Sequence, residues 1–351
     1  VSGKKTALVI GATGVSGRAL LDHLESQADW DIVGVSRGAP YFDTKARFVH
    51  ADLYDAESCK DAFRSLGDVT HVFYTAYKDS PVFAETRAPN AKMFRNALDA
   101  IEAAAPNLQH VCLLQGTKYY GQYLGPFKTP AKETDARISV PHFYYDQQDY
   151  LMERRAGKGW SWSAARPHVI CGYALGNPLN LISTLAVYAA IKKAVGLPLT
   201  FPGKPGAFTS IYQATDSGLL ARAMTWMSTT SACADEAFNI TNGDFFRYEN
   251  LWPAFADYFG MEAGGVQTED VPTFMADKEP VWEQIVKEHG LQPNPMSRLA
   301  NWPFANYAFS NDWDVMSDTT KCRKFGFLEF IDSQQMFLDH FEYLRQHKIV
   351  P

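Results

Sequence analysis

Short apolar runs alternate, through the first half of the chain, with stretches in which apolar residues recur every three or four positions. That rhythm predicts buried strands joined by amphipathic helices. Strands are expected at residues 8–10, 31–37, 48–53, 71–76, 111–114 and 160–166, and helices from Val15 onward and at 55–66, 85–104 and 142–153. Within 85–104, the residues Met93, Phe94, Ala97, Leu98 and Ile101 mark the buried face. Regular alternation of this kind is the signature of an α/β fold with a doubly wound parallel sheet. Beyond Pro167 the rhythm loosens into an apolar helix at 181–194, a strand and turn at 238–243, and helices at 248–259, 280–289, 312–320 and 333–347. No repeat or low-complexity linker separates the halves. Residues 1–175 are therefore expected to form the sheet domain, with 205–235 returning to it, and 176–204 and 236–351 to form a smaller, mostly helical cap.

The first strand ends in a glycine run, Gly11, Gly14 and Gly17, that leads into the first helix. Glycines at such a turn let the backbone approach a pyrophosphate, whose charge is stabilised by the free N–H groups and the positive end of the helix dipole. Gly11, Thr13, Gly14, Val15 and Gly17 are thus the expected cradle of a dinucleotide in a Rossmann fold. The second strand ends in Ser36-Arg37, beside the position of the adenosine ribose. An acid there would bind the 2′-hydroxyl, whereas an arginine accepts a 2′-phosphate, so Arg37 points to NADP(H). Asp52 and Leu53 should border the adenine, and Thr75 and Ala76 should run under the cofactor.

Composition narrows the remaining classes. With 21% charged and 46% hydrophobic residues the chain is an ordinary globular protein, and a net charge of −6 without a basic run argues against nucleic acid and anionic membrane as partners. No apolar stretch approaches a membrane span, and residues 1–5 do not read as a signal peptide, which makes the cytosol the expected address. Five scattered cysteines and nine histidines form neither Cys-x-x-Cys nor His-x-x-x-His pairs, so no metal is expected.

Hydride transfer to an oxygen-bearing substrate needs a donor for the oxygen that gains charge. Short-chain dehydrogenases use Tyr-x-x-x-Lys on one helix. Here the helix reads His142-Phe143-Tyr144-Tyr145-Asp146-Gln147-Gln148-Asp149, and Asp149 stands where a lysine would follow Tyr145. A lysine occurs instead after the fifth strand, in Gln115-Gly116-Thr117-Lys118. That combination, with Arg166-Pro167 and the tracts MFRNALDA, VYAAI, FNITNGD, EPVW and the terminal KIVP, resembles the progesterone 5β-reductase and iridoid synthase-like family of atypical extended short-chain dehydrogenases/reductases along essentially the whole chain.

The resemblance implies an NADPH-dependent reductase of the C=C bond of enones and enals, with a homodimer as the assembly that analogy suggests. The family's catalytic pair falls on Tyr145 and Lys118, and Tyr145 is also carried over as a cofactor contact. Tyr144 is the neighbouring candidate and is assigned to the substrate pocket with Phe127, Phe327 and Phe330. The family's Arg-Pro-Gly-Asn-Ile run is Arg166-Pro167-His168-Val169-Ile170 here, and Pro167, Val169 and Ile170 are the expected carboxamide contacts. His142 and Gln148 replace an asparagine and a glutamate, and the loop from Lys118 to Gly125-Pro126-Phe127 is longer than the family's usual spacing. A carbonyl reductase working by 1,2-reduction on the same scaffold and a non-catalytic NADP-sensing regulator are the alternatives.

Overall fold

The computed structural model describes residues 4–177 and 179–351. Its elements in the first part are β1 (Lys5–Ile10), α1 (Val15–Glu25), β2 (Trp30–Ser36), β3 (Arg47–His50), α2 (Ala56–Phe63), β4 (His71–Tyr74), α3 (Arg87–Ala104), β5 (His110–Leu114), α4 (Phe143–Arg155), β6 (Ser161–Pro167) and β7 (Val169–Cys171). There follow α5 (Leu181–Ala194), β8 (Leu199–Phe201), α6 (Pro205–Thr209), β9 (Ala214–Asp216), α7 (Ser217–Thr229), β10 (Glu236–Ile240), α8 (Tyr248–Phe259) and β11 (Ala263–Val266). The chain closes with α9 (Val271–Met275), α10 (Glu279–His289), α11 (Met296–Leu299), α12 (Trp302–Ala308), α13 (Thr320–Lys324) and α14 (Ser333–Gln346).

Seven parallel strands form the central sheet in the order β10-β6-β5-β4-β1-β2-β3. Side chains alternate across a strand, so β1 sends Leu8 and Ile10 to one face and Ala7 and Val9 to the other. The first face is covered by apolar residues of α2, α3 and α4, the second by those of α1 and α7. Strand order reverses between β1 and β4, and a cleft opens beyond the C-terminal strand ends at that switch point, where α/β sheets hold their ligands.

A third core lies outside the sheet and is built on α5, whose residues are buried almost all round. Trp252 and Trp282 anchor it, each donating its indole N–H at 2.8 Å to a backbone carbonyl, of Leu199 and Asn294 respectively. Burying such a ring is favourable only when that polar atom finds a partner.

Three expectations change. Residues 236–240, assigned to the cap by pattern, form an edge strand of the central sheet, because β10 pairs with β6 from Glu236↔Ser163 to Ile240↔Pro167. Of the returning segment 205–235, α7 lies on the sheet while α6 packs against α8 in the cap. Residues 312–319 are not helical. Their backbone is spent elsewhere: Val315 N–H donates to Ile211 O, Asp318 N–H donates to Ala131 O, and Met316 O accepts from Ala131 N–H. This extended segment ties the C-terminal region to the loop before α4.

Candidate active site

The turn after β1 is shaped by contacts that only glycine permits. Gly11 has φ +91°, and a Cβ on it would lie 2.8 Å from Ala76 N. A Cβ on Gly17 would lie 2.1 Å from Gly11 O. Gly14 is the N-cap of α1 and offers no side-chain bond to the first helical N–H groups. The result is an exposed set of backbone donors at a positive dipole end, which fits the phosphates of a dinucleotide.

The cleft brings together most of the residues that the sequence singled out. Gly11, Thr13, Gly14, Val15 and Gly17 form its floor near α1. Ser36, Arg37, Asp52 and Leu53 line the end beyond β2 and β3. Thr75 and Ala76 follow β4, with the Thr75 hydroxyl donating to Ile10 O at 2.9 Å, and Pro167, Val169 and Ile170 close the far side. Arg37 is exposed and makes no ion pair among the described residues.

The two tyrosines of α4 part ways. Adjacent helix positions differ by about 100°, so one hydroxyl at most can face the cleft. It is that of Tyr144: a Cβ on Gly116 would sit 3.2 Å from it, and it makes no protein hydrogen bond among the described residues. Tyr145 is turned away and does not line the cleft. Its hydroxyl donates to Tyr119 O at 2.5 Å and accepts from Ile138 N–H at 3.2 Å, while its ring packs with Tyr119, Tyr120 and Ala131. Tyr145, the expected catalytic and cofactor-contacting tyrosine, thus lies outside the cleft with its hydroxyl bonded to the main chain.

Lys118 lies in a short 3-10 helix, Thr117–Tyr120, after β5 and lines the same cleft as Tyr144. Its Nζ sits 4.5 Å from the ring centre of Phe83 and 5.0 Å from that of Tyr307. Burial lowers its pKa to about 8, against an opposing pull from Asp79. Burial pushes the Tyr144 phenol up. At neutral pH the site thus presents a protonated phenol and an ammonium that makes no carboxylate ion pair among the described residues.

The missing Tyr-x-x-x-Lys lysine has a clear replacement on each tyrosine's side. Four residues after Tyr145, Asp149 pairs with Arg137 at 2.7 Å. Four residues after Tyr144, Gln148 is buried, and its Oε1 accepts from Gln115 Nε2 at 3.2 Å and Arg166 Nη2 at 3.3 Å. Arg166, 2% exposed, also donates to Gln115 Oε1 at 2.9 Å and Tyr120 OH at 3.1 Å, and its guanidinium stacks 3.4 Å from the Tyr119 ring centre. Gln115 in turn donates to Tyr144 O at 3.1 Å. Because each member of this buried network leaves its partners unpaired if lost, it fixes α4 against β5 and β6.

His142 caps α4, its Nδ1 accepting from Tyr144 N–H at 3.0 Å. Burial and Lys118 lower its pKa to about 3, so it caps as a neutral ring. His168, in the place of the family's glycine, lines the cleft, donates its backbone N–H to Thr215 Oγ1, and pairs through Nε2 with Ser317 Oγ at 2.8 Å.

Three of the four residues assigned to the substrate pocket lie elsewhere. Phe127 packs between the cap core and the Tyr119–Tyr145 cluster, drawn there by the course of the long loop. Phe327 is buried on the sheet face against Trp226, with ring centres 5.3 Å apart. Phe330 is 77% exposed. Only Tyr144 lines the cleft. The walls opposite it are Gln122, Tyr212, Phe304, Tyr307, Ala308 and Val315, from segments far apart in sequence. Of these, only Gln122 lay in a stretch, the long loop after Lys118, that the sequence marked as unusual.

Fold and site together define an extended short-chain dehydrogenase/reductase that uses a nicotinamide dinucleotide. Among solved structures, UDP-glucose 4-epimerase of Thermotoga maritima superposes with a TM-score of 0.70 over 97% of this chain and 99% of its own, at 15% identity. The Bordetella bronchiseptica enzyme WbmH, solved with NAD+, does so with a TM-score of 0.67 over 98% and 99%, also at 15% identity. At that identity the likeness concerns the fold.

Sequence relationships go further. The chain belongs to the PRISE family, whose PRISE-like Rossmann-fold domain matches residues 45–351. It is 35% identical to the 3-oxo-Δ(4,5)-steroid 5β-reductase of Arabidopsis thaliana and 34% identical to the (S)-8-oxocitronellyl enol synthase CYC2 of Camptotheca acuminata. Each match covers 99% of this chain and 94% of the relative. Among the described residues no helix is long and apolar enough to cross a membrane, and no cluster of three metal-binding side chains occurs.

Proposed function

We infer that this protein is an NADPH-dependent enone or enal reductase that adds hydride across the activated C=C bond of an α,β-unsaturated carbonyl compound. The observation that carries the reading is the convergence of the Tyr144 hydroxyl and the Lys118 ammonium on one cleft continuous with the glycine cradle. The steroid 5β-reductase among the relatives is named for reduction of a conjugated double bond. Preference for the phosphorylated cofactor is supported by Arg37, a guanidinium at the rim beside Ser36 with no carboxylate in the place of a ribose-binding acid.

The cradle fits the cofactor because Gly11 and Gly17 keep the backbone open to phosphate, where any Cβ would collide with main-chain atoms. When bound, the reduced cofactor supplies a hydride. The residues of the chain do the rest. Tyr144, rather than Tyr145, donates a hydrogen bond to the substrate carbonyl oxygen and stabilises the enolate that develops as the β-carbon accepts hydride. Lys118 keeps positive charge beside that oxygen from a position outside α4. A delocalised enolate needs charge stabilisation more than immediate protonation, which fits a phenol held protonated by burial. The α-carbon takes its proton from solvent.

Incubation with NADPH and 2-cyclohexenone followed by product analysis tests the assignment. Cyclohexanone is the expected product. An allylic alcohol would mean 1,2-reduction, and NADPH binding without turnover on a broad enone panel would mean a sensor.

A further inference from the structure

We propose that Phe83 and Tyr307 are positioning residues for Lys118, two ring faces that clamp its ammonium in the cleft and hold it charged. The proposal rests on the reductase reading above, in which that charge stabilises the enolate.

In a Tyr-x-x-x-Lys helix, the spacing along one helix sets where the ammonium lies. Lys118 comes from a different segment, and ordering its long, flexible stem costs entropy unless something holds the charged end. Its Nζ makes no carboxylate ion pair among the described residues and lies 4.5 Å from the ring centre of Phe83 and 5.0 Å from that of Tyr307. The negative face of an aromatic ring attracts a cation, most strongly where water is excluded.

Each ring is anchored without help from the lysine. Phe83, in the 3-10 helix Phe83–Thr86 before α3, packs against Tyr123 and His142, with ring centres 4.4 Å and 5.3 Å away. Tyr307, on α12, donates its hydroxyl to Gln122 Oε1 at 3.1 Å. The clamp thus joins the loop after β4 to a helix of the cap.

The groups around the ammonium leave it to titrate alone near pH 8. Asp79, in the loop before Phe83, accepts from the Tyr77 hydroxyl at 3.0 Å and draws the lysine pKa up against the effect of burial. At the start of α4, His142 is neutral there. Burial pushes up the phenols of Tyr77, Tyr123, Tyr144 and Tyr307.

The test measures the titration midpoint of Lys118 in the NADPH-saturated protein in two ways. One is competitive labelling with trace acetic anhydride, read by mass spectrometry of the Lys118 peptide. The other is the alkaline limb of kcat/KM for 2-cyclohexenone. Phe83→Leu and Tyr307→Leu keep apolar bulk and remove a ring face, so each is expected to lower the midpoint by about 0.5–1.5 pH units, a roughly 3- to 30-fold weaker hold on the proton. Tyr307→Phe keeps the ring and stays near the native midpoint. Rings that served only as apolar wall would give the opposite sign, because their loss would admit water and raise the midpoint. An unchanged or raised midpoint in a folded leucine variant overturns the proposal, and if one variant does not fold the other decides. Labelling needs no turnover. Midpoints that fall as expected in a protein that leaves 2-cyclohexenone unreduced uphold the clamp and sink the reductase reading, whereas reduction with unmoved midpoints does the reverse.

Discussion

The two sides of the cleft are built by different means. The dinucleotide side is main chain: the turn from Gly11 to Gly17 is shaped by the absence of side chains, and its donors are the first N–H groups of α1. The substrate side is made of side chains from separated segments, among them Lys118 and Gln122 after β5, Tyr144 on α4, and Phe304 and Tyr307 on α12. Each is held by a contact at long sequence separation, such as Tyr307 to Gln122 or Arg166 through Gln115 to Tyr144. A binding surface of backbone depends on local chain geometry. A surface of side chains depends on every element that aims them.

The sharpest way to break this contrast is to exchange the roles of adjacent tyrosines. Tyr144→Phe is expected to lower kcat for enone reduction by about 10²- to 10³-fold, the usual effect of removing one oxyanion donor. Tyr145→Phe instead loses its bonds to Tyr119 and Ile138, and should cost about 1 kcal/mol of stability while kcat stays within a few fold. Denaturant titration and steady-state kinetics on both variants decide the matter, and the opposite pattern would restore Tyr145.

On the backbone side, Gly17→Val forces a Cβ against Gly11 O. Strain of about 1–3 kcal/mol is expected, read as roughly 10- to 100-fold weaker NADPH binding by fluorescence titration. Arg37→Ala should weaken NADPH by about 10-fold or more through loss of charge-assisted bonds and leave NADH affinity nearly unchanged. Equal losses for both cofactors would remove Arg37 from phosphate recognition.

Two pH effects are smaller. Lys118 loses its proton as pH rises through about 8, so log kcat/KM should fall on the alkaline side from there, and Lys118→Arg should move that limb upward. His110, His142 and His168 have pKa values lowered to about 3 by burial, and His71 to about 4. The unfolded chain binds protons on these rings below about pH 6.5 while the folded one does not, so their contribution is intact above that pH and is lost progressively down to about pH 3–4. Melting temperature measured from pH 7 to pH 4 should fall accordingly.

Much of the fold was legible because strand and helix periods are local. The six parallel strands of the first half, the boundaries of α5 and α8, and the glycine turn all follow from spacing and composition. Residues 312–319 were not legible: their apolar spacing suits a helix, but their backbone groups are claimed by Ala131 and Ile211, partners no local pattern reveals. The edge strand β10 was misassigned for the same reason, since its partner β6 lies 73 residues earlier at the Glu236↔Ser163 pair.

The site divides along the same line. The sequence by itself determined the cradle from Gly11 to Gly17, the basic residue at the tip of β2, and the presence of a lysine outside α4, because each is a property of a few contiguous residues. Only the tertiary structure decided that Tyr144 and not Tyr145 shares the cleft with Lys118, that Phe127, Phe327 and Phe330 leave it, and that Gln122 and Tyr307 enter it. Those choices depend on how α4 is rotated by its buried network and how the cap closes over the sheet, and a helix rotation of one residue, about 100°, is enough to reverse them.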